Sequence, residues 1–290
     1  MDSLSTAAAP ALAALLDDFS LEMTGKDVPA LEEARDRIPA GTRINITFLG
    51  SEDPDTRLAA ARTVRRLGCT PVPHISARRL RSRPELEEFL AALRSDGTAG
   101  DVLVVGGDPA TPHGPYDDSL AVIGSGLLQS YGVRHVGISG YPEGHPAIAA
   151  PALWSAIEDK TTALARHGLS GDIITQFGFD AGPVLAWVEA VRRRGIDAPV
   201  RVGVPGPAGI KRLMTYATRF GVGTSTSVAK KYGFSLTNLM GTAGPDRFIH
   251  ALAEGYDPHR HGVLKLHFYT FGGIGATSRW ITEFRAGAGG

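Results

Sequence analysis

Eight short apolar, β-branched runs recur along this 290-residue chain, and their alternation with helical segments limits the fold more than any other feature. The runs are FSLEM (19–23), RINITFL (43–49), PVPHI (71–75), DVLVVGGD (101–108), HVGISGY (135–141), DIITQF (172–177), VRVGVPG (200–206) and VLKLHFYT (263–270). Between them, segments 28–37, 54–67, 84–95, 117–131, 151–167, 181–195 and 208–220 carry apolar residues at helical spacing, as in Leu58, Ala61, Val64 and Leu67. Short strands joined by helices read as βα units on a parallel sheet. One (β/α)8 TIM barrel of about 250 residues uses up the chain. The expected fold is therefore α/β, a single barrel domain over 1–290, with 1–16 as an N-terminal extension and 285–290 as a frayed tail. Residues 221–262 break the rhythm. SVAKKYGFSLTNLMG (227–241) and PDRFIHALAEG (245–255) predict two extra helices between units seven and eight, and SRWITEF (278–284) predicts the closing helix. A doubly wound sheet, the competing architecture, would carry G-x-G-x-x-G after an early strand. The chain has only the partial echoes IGSG (123–126) and FGGIG (271–275).

A content of 43% hydrophobic and 21% charged residues suits one large core. Thirty acidic and thirty basic side chains cancel, which argues against nucleic acid or an anionic membrane as the main partner. The lone Cys69 rules out an internal disulfide, and no run approaches the roughly 20 apolar residues of a membrane span. With no basic cluster in residues 1–16, a cytoplasmic address is expected. Tyr232, Phe234 and Leu239 in the insertion suit either a homo-oligomer contact or a lid over the barrel mouth.

In a barrel the carboxyl ends of the strands converge on one mouth. Glu22, Thr47, His74, Asp108, Tyr141, Gln176 and Tyr269 are therefore expected to face a single cavity. A carboxyl group in an apolar mouth keeps its proton more readily, so Glu22 reads either as a general acid or as a solvated strand-end carboxylate. Asp108, after Gly106 and Gly107, reads as a partner for a heterocycle or a developing cation, or as an Asp-Pro turn with Pro109. His74 reads as a core histidine or a site residue. In TQFGFD (175–180), Gln176 can offer a donor and an acceptor to an amide-like ring edge, Phe177 and Phe179 can stack on a flat ligand, and Asp180 suits the N-cap of the next helix. GYPEGHP (140–146) puts Tyr141 and His145 in a stiff loop that either binds a ligand or merely ends a strand. Lys160 by itself reads as a solvated helix lysine, and RRLRSR (78–83) as solvated surface. His259, His261 and His267 have no matching cysteines and no H-E-x-x-H pattern, so no metal site is expected.

These strings together resemble the methylenetetrahydrofolate reductase family. FSLE with Glu22, PHIS with His74, GGD with Asp108, GYPEGHP, the helix bearing Lys160, TQFGFD and HFYT with Tyr269 follow the family's order from about residue 19 to 270. The resemblance implies a flavin barrel in which NADH or NADPH passes a hydride to bound FAD and is then replaced by the folate. Its product would be methyltetrahydrofolate for methionine biosynthesis. It implies Glu22 as general acid on the folate's bridging amine, Asp108 as a contact of the pterin near the flavin, Gln176 as a pterin partner, and Phe177 and Phe179 as walls of a flat slot. Thr47, His74, Asp108, Tyr141, His145, Lys160 and Tyr269 would line the flavin site. The chain departs from the family at Gly106, where an arginine is usual, at Gly178 within an aromatic triplet, and at Met23-Thr24-Gly25 after the acid. Two alternatives stay open: a flavin-independent folate barrel working by direct hydride or methyl transfer, and a non-catalytic folate-binding partner.

Overall fold

In a computed structural model, which describes residues 8–48, 50, 53–222 and 242–288, the eight runs close into a parallel barrel. Its strands are β1 (Ser20–Met23), β2 (Arg43–Ile46), β3 (Thr70–Ser76), β4 (Asp101–Val105), β5 (His135–Gly140), β6 (Ser170–Phe177), β7 (Val200–Pro205) and β8 (Leu264–Tyr269). Neighbours in sequence are neighbours in the sheet, and β1 closes the ring against β8 through Ser20↔His267 and Leu21↔Phe268. Ala208–Gly209 and Thr242–Ala243 form a separate two-stranded antiparallel pair.

The helices are α1 (Ala8–Leu16), α2 (Val28–Ala34), α3 (Pro54–Arg66), α4 (Arg83–Ser95), α5 (Ser119–Ile123), α6 (Leu127–Ser130), α7 (Ala150–Arg166), α8 (Ala181–Arg193), α9 (Ile210–Phe220), α10 (Asp246–Gly255), α11 (Pro258–His261) and α12 (Ile274–Ala288). Local chemistry starts several of them. Asp53 accepts from the Asp55 N–H ahead of α3, Ser82 from the Glu85 N–H ahead of α4, and prolines occupy the first turns. Asp180 accepts from the Gly182 N–H and caps α8. The segment expected as one helix over 117–131 divides into α5 and α6, because Gly126 sits at φ 74 between them.

In the N-terminal extension, α1 buries Leu12, Leu15 and Leu16, and Lys265 Nζ donates to Ala14 O. The closing helix starts at Ile274, earlier than SRWITEF, and runs to Ala288, so residues 285–288 are helical where fraying was expected. Of the two extra helices, PDRFIHALAEG forms α10, whereas 227–241, with Tyr232, Phe234 and Leu239, lies outside the described residues.

Inside the barrel Val72, Leu103 and Ile174 form an apolar layer. Outward-facing Leu21, Ile44, Val102, Val136, Ile173, Val202 and Leu266 pack in the core shared with the helices. Burial on both faces is why these strands read as continuous apolar runs. The amino ends of the strands are tied by charges. Arg201 Nε donates to Asp172 Oδ2 at 2.6 Å with both side chains 4% exposed, while Arg201 Nη2 and Nη1 reach Asp18 Oδ2 at 2.7 Å and Asp18 O at 2.6 Å. Arg43 joins Asp18 to Asp101, and His135 Nε2 lies 3.3 Å from Asp172 Oδ1. Burial pushes the Asp172 carboxyl up, but His135 and Arg201 outweigh it and hold the group down at about 2. Charges at this end of a barrel serve stability, which leaves the carboxyl ends for chemistry.

Candidate active site

Side chains alternate along a strand. Leu21 and Met23 on β1 are buried in the outer core, so Ser20 and Glu22 turn inward. Backbone contacts from both neighbouring strands pin the end of β1. The Thr47 N–H and Oγ1 donate to Met23 O at 2.8 and 2.9 Å, and Thr270 Oγ1 donates to Glu22 O at 2.7 Å. The hydroxyl of Thr47 thus holds backbone here.

Polar groups gather around the Glu22 carboxylate, whose side chain is 20% exposed. His267, two residues before Tyr269 on β8, is fully buried; its Nδ1 lies 2.9 Å from Ser20 Oγ and its Nε2 3.7 Å from Glu22 Oε2. Asn45 on β2 is the register partner of Glu22. His74 on β3 is lowered to about 4 by burial, reinforced by His267 and Arg57 and opposed by the charge of Glu22. Tyr269 donates its hydroxyl to Thr175 O at 3.0 Å, and burial, with Glu22 and Tyr141 adding to it, pushes the phenol well above its ordinary range. Asn45 Oδ1, His74 Nε2 and His267 Nε2 are buried without a hydrogen-bond partner. Buried polar atoms of this kind ordinarily pair with protein, water or a ligand, and these three lie on strands that share the mouth with Glu22.

The state of His74 has a measurable consequence. Its folded value lies below its ordinary value of 6.5, so on acidification the unfolded chain takes up a proton that the folded one refuses. Stability is then intact above pH 6.5, and about 3 kcal/mol is lost on descending towards pH 4. Denaturant midpoints across this window should fall for the wild type and fall distinctly less for His74→Asn. Parallel curves for the two proteins would contradict a neutral, buried His74.

The remaining expected residues are spread around the rim. Gly107 has φ 95, and a Cβ there would come within 2.2 Å of Ser76 Oγ, so only glycine lets the β4 loop pass β3 this closely. Asp108 follows with its side chain 68% exposed, and accepts Arg79 Nε at 2.9 Å and Nη2 at 2.6 Å. Burial acts to raise this carboxyl, but the Arg79 hydrogen bond and charge, with Arg219 behind them, lower it. The RRLRSR stretch is therefore not merely solvated surface: Arg79 supplies a cation beside Asp108 where Gly106 has none, and Arg78 Nη2 holds Ala110 O.

Phe177 and Phe179 are buried beneath α9 with Leu213 and Ala217, edge to face with each other at 5.9 Å. Phe177 also meets Phe271 at 5.0 Å and Tyr269 at 5.5 Å. Gln176 is half-buried and its Oε1 accepts the Phe177 N–H. Tyr141 and His145 meet edge to face at 5.1 Å; burial raises the first and lowers the second, whose Nδ1 accepts the Ala147 N–H. Lys160 is not a solvated helix lysine. It shares the buried stripe of α7 with Ile157 and Leu164, and burial lowers it to about 8 against the opposing charge of Asp118.

Ser20, Asn45, His267, Thr270 and Arg79 are not among the residues expected at the mouth from the sequence. Period-two alternation from Glu22 and Tyr269 could have found Ser20 and His267, because residues two apart on a strand share a face. Among the described residues no group of three or more His, Cys, Asp and Glu is arranged for a metal, and His261 sits apart from His267, against Glu189 on α8.

A family model for methylenetetrahydrofolate reductase matches residues 18–281, from just before β1 into α12. The chain belongs to the methylenetetrahydrofolate reductase family. Membership places this (β/α)8 barrel in folate metabolism. Among solved structures, this family member is similar to an uncharacterized protein from Clostridium thermocellum that binds two copies of 5-methyl-5,6,7,8-tetrahydrofolic acid, with TM-score 0.57, 11% identity, and 95% of this chain and 97% of that one covered. It also matches dihydropteroate synthase from Thermus thermophilus, with TM-score 0.46, 13% identity, and 92% and 93% covered. The first likeness is one of fold. Among the described residues no helix is long and apolar enough to cross a membrane.

Proposed function

We propose that this family member reduces methylenetetrahydrofolate to methyltetrahydrofolate in the cytoplasm, with NADH or NADPH as hydride source and FAD bound at the barrel mouth. The observation that carries the reading is the pair of unpartnered atoms, Asn45 Oδ1 and His74 Nε2, on the strands that share the mouth with Glu22. A flat heterocycle whose edge mixes donors and acceptors satisfies such a pair. The chemistry of the residues present suits FAD, with neutral donors and acceptors for its ring system and cations for its diphosphate. Asn45, His74, Tyr141 and Tyr269 would hold the ring system, and the buried ammonium of Lys160, with Arg79 and His145, would hold the diphosphate. When bound, FAD supplies the carrier that accepts a hydride from the nicotinamide and returns it to the folate.

The chain's own residues supply the rest. Glu22 protonates the bridging amine of the folate, which opens the five-membered ring to an iminium ion. Gln176, with Oε1 engaged by the Phe177 N–H, presents its amide nitrogen to the pterin. Asp108 sets a negative charge at the rim, tempered by Arg79, against the cation that develops. The apolar walls of the mouth exclude water and so protect the iminium ion.

One observation favours a second reading, direct hydride transfer without flavin. The Phe177, Phe179 and Phe271 cluster fills space that a second flat ring would need. The visible spectrum of the purified full chain separates the two. Flavin bands that bleach with NADH and return with methylenetetrahydrofolate are the expected result. Colourless protein that still turns over NADH and folate selects direct transfer, and colourless protein that stays inactive after incubation with FAD overturns both.

A further inference from the structure

We infer that His267, oriented by Ser20, positions Glu22 by donating Nε2–H to its Oε2 and so assigns the acid's proton to Oε1. This rests on the proposed role of Glu22 and adds a residue to it. His267 lies on β8 and Glu22 on β1, the two strands whose pairing closes the barrel, and the register Ser20↔His267 brings the serine hydroxyl to the ring.

Two arrangements of the ring protons are open to a neutral imidazole here. If Nδ1 carried the proton and donated to Ser20, a bare Nε2 lone pair would face the Glu22 oxygen 3.7 Å away. If Ser20 O–H donates to Nδ1, then Nε2–H points at Oε2 and both ring nitrogens have a use. The second arrangement also gives the fully buried Nε2, which has no partner within hydrogen-bond range, an acceptor in the nearby carboxylate. Its present distance is beyond hydrogen-bond range, as catalytic contacts often are before substrate binds.

A donor fixed on Oε2 suits Glu22 in both of its states. In the acid, Oε2 is the carbonyl oxygen and accepts, so the proton sits on Oε1. After transfer to the folate, the same N–H supports the new carboxylate, and no proton has to move within the Ser20–His267 pair. The edge of Tyr269 against His267, with ring centroids 4.8 Å apart at 87°, resists rotation of the imidazole. His267 is thus a positioning residue, acting through Glu22.

Tautomer and kinetics test this separately. In 15N-histidine-labelled protein, His267 should show protonated Nε2 and unprotonated Nδ1, Ser20→Ala should mix the tautomers, and Glu22→Gln should shift the Nε2 signal. His267→Ala should lower kcat for folate reduction by roughly 10- to 100-fold, the worth of one charge-assisted hydrogen bond, with little change in KM. His267→Gln, whose amide N–H falls near the same place, should recover most of the loss. An Nδ1–H tautomer in the wild type, or equal losses in the Ala and Gln variants, would overturn the inference. A wild type that reduces no folate defeats the proposed function instead, and the labelled spectra still decide the Ser20–His267–Glu22 arrangement.

Discussion

Glu22→Gln is expected to leave NADH-driven flavin reduction nearly intact while cutting folate reduction by roughly 10²- to 10⁴-fold, the usual worth of a positioned general acid. The substitution keeps the volume of the side chain and its place on β1, which Thr47 and Thr270 hold through backbone oxygens that do not change. What it removes is a transferable proton. Hydride transfer from a nicotinamide needs no such proton, whereas opening the folate ring does. Anaerobic stopped-flow, with NADH alone and then with methylenetetrahydrofolate added to pre-reduced protein, reads the two half-reactions apart. Equal losses in both would mean that Glu22 shapes the mouth and does not act as the acid.

Breaking the Asp172–Arg201 pair should cost stability at the opposite end of the barrel. Arg201→Met leaves the buried Asp172 carboxylate with only His135, and Asp18 with only Arg43. Removing one partner of a buried pair costs about 3–5 kcal/mol, because the charge that remains is desolvated and uncompensated. For a chain of this size that corresponds to a fall in Tm on the order of 10 °C. Asp172→Leu combined with Arg201→Met should regain part of the loss, since an apolar pair leaves no stranded charge between the two positions. The pH dependence has a definite sign. Asp172 sits at about 2 in the folded chain, below its ordinary value of about 3.9, so its stabilisation is present above about pH 4 and drains away as pH falls from 4 to 2. Folate turnover at a permissive temperature should be unchanged in these variants, because the network lies at the amino ends of the strands. Calorimetry paired with activity checks both halves, and loss of activity without loss of stability would contradict the assignment.

Much of the fold was legible because its signals are local. Each strand is a short stretch buried on both faces, and each helix has a stripe of apolar residues that any neighbouring turn can be seen to share. Caps and prolines at Asp53, Ser82 and Asp180 are local as well. The expectation that Glu22, His74 and Tyr269 converge on one region then follows from barrel geometry, with strand ends as the input. The rim was harder to read. Asp108 meets Arg79 across 29 residues, and α9 covers Phe177 and Phe179 with side chains from a different βα unit. No periodicity encodes which loop leans on which.

The chain's periodicity alone determined an eight-stranded parallel barrel and the strand ends that carry its polar residues, because alternation along a strand or helix is set by backbone geometry within a few residues. Only the tertiary structure decided that Ser20 and His267, 247 residues apart, share a hydrogen bond beside Glu22. It also decided that Lys160 is buried and that Asp108 is paired with Arg79 at the rim. Those outcomes depend on the register with which β1 meets β8 and on loops packing across units, and both are settled by the closed barrel as a whole.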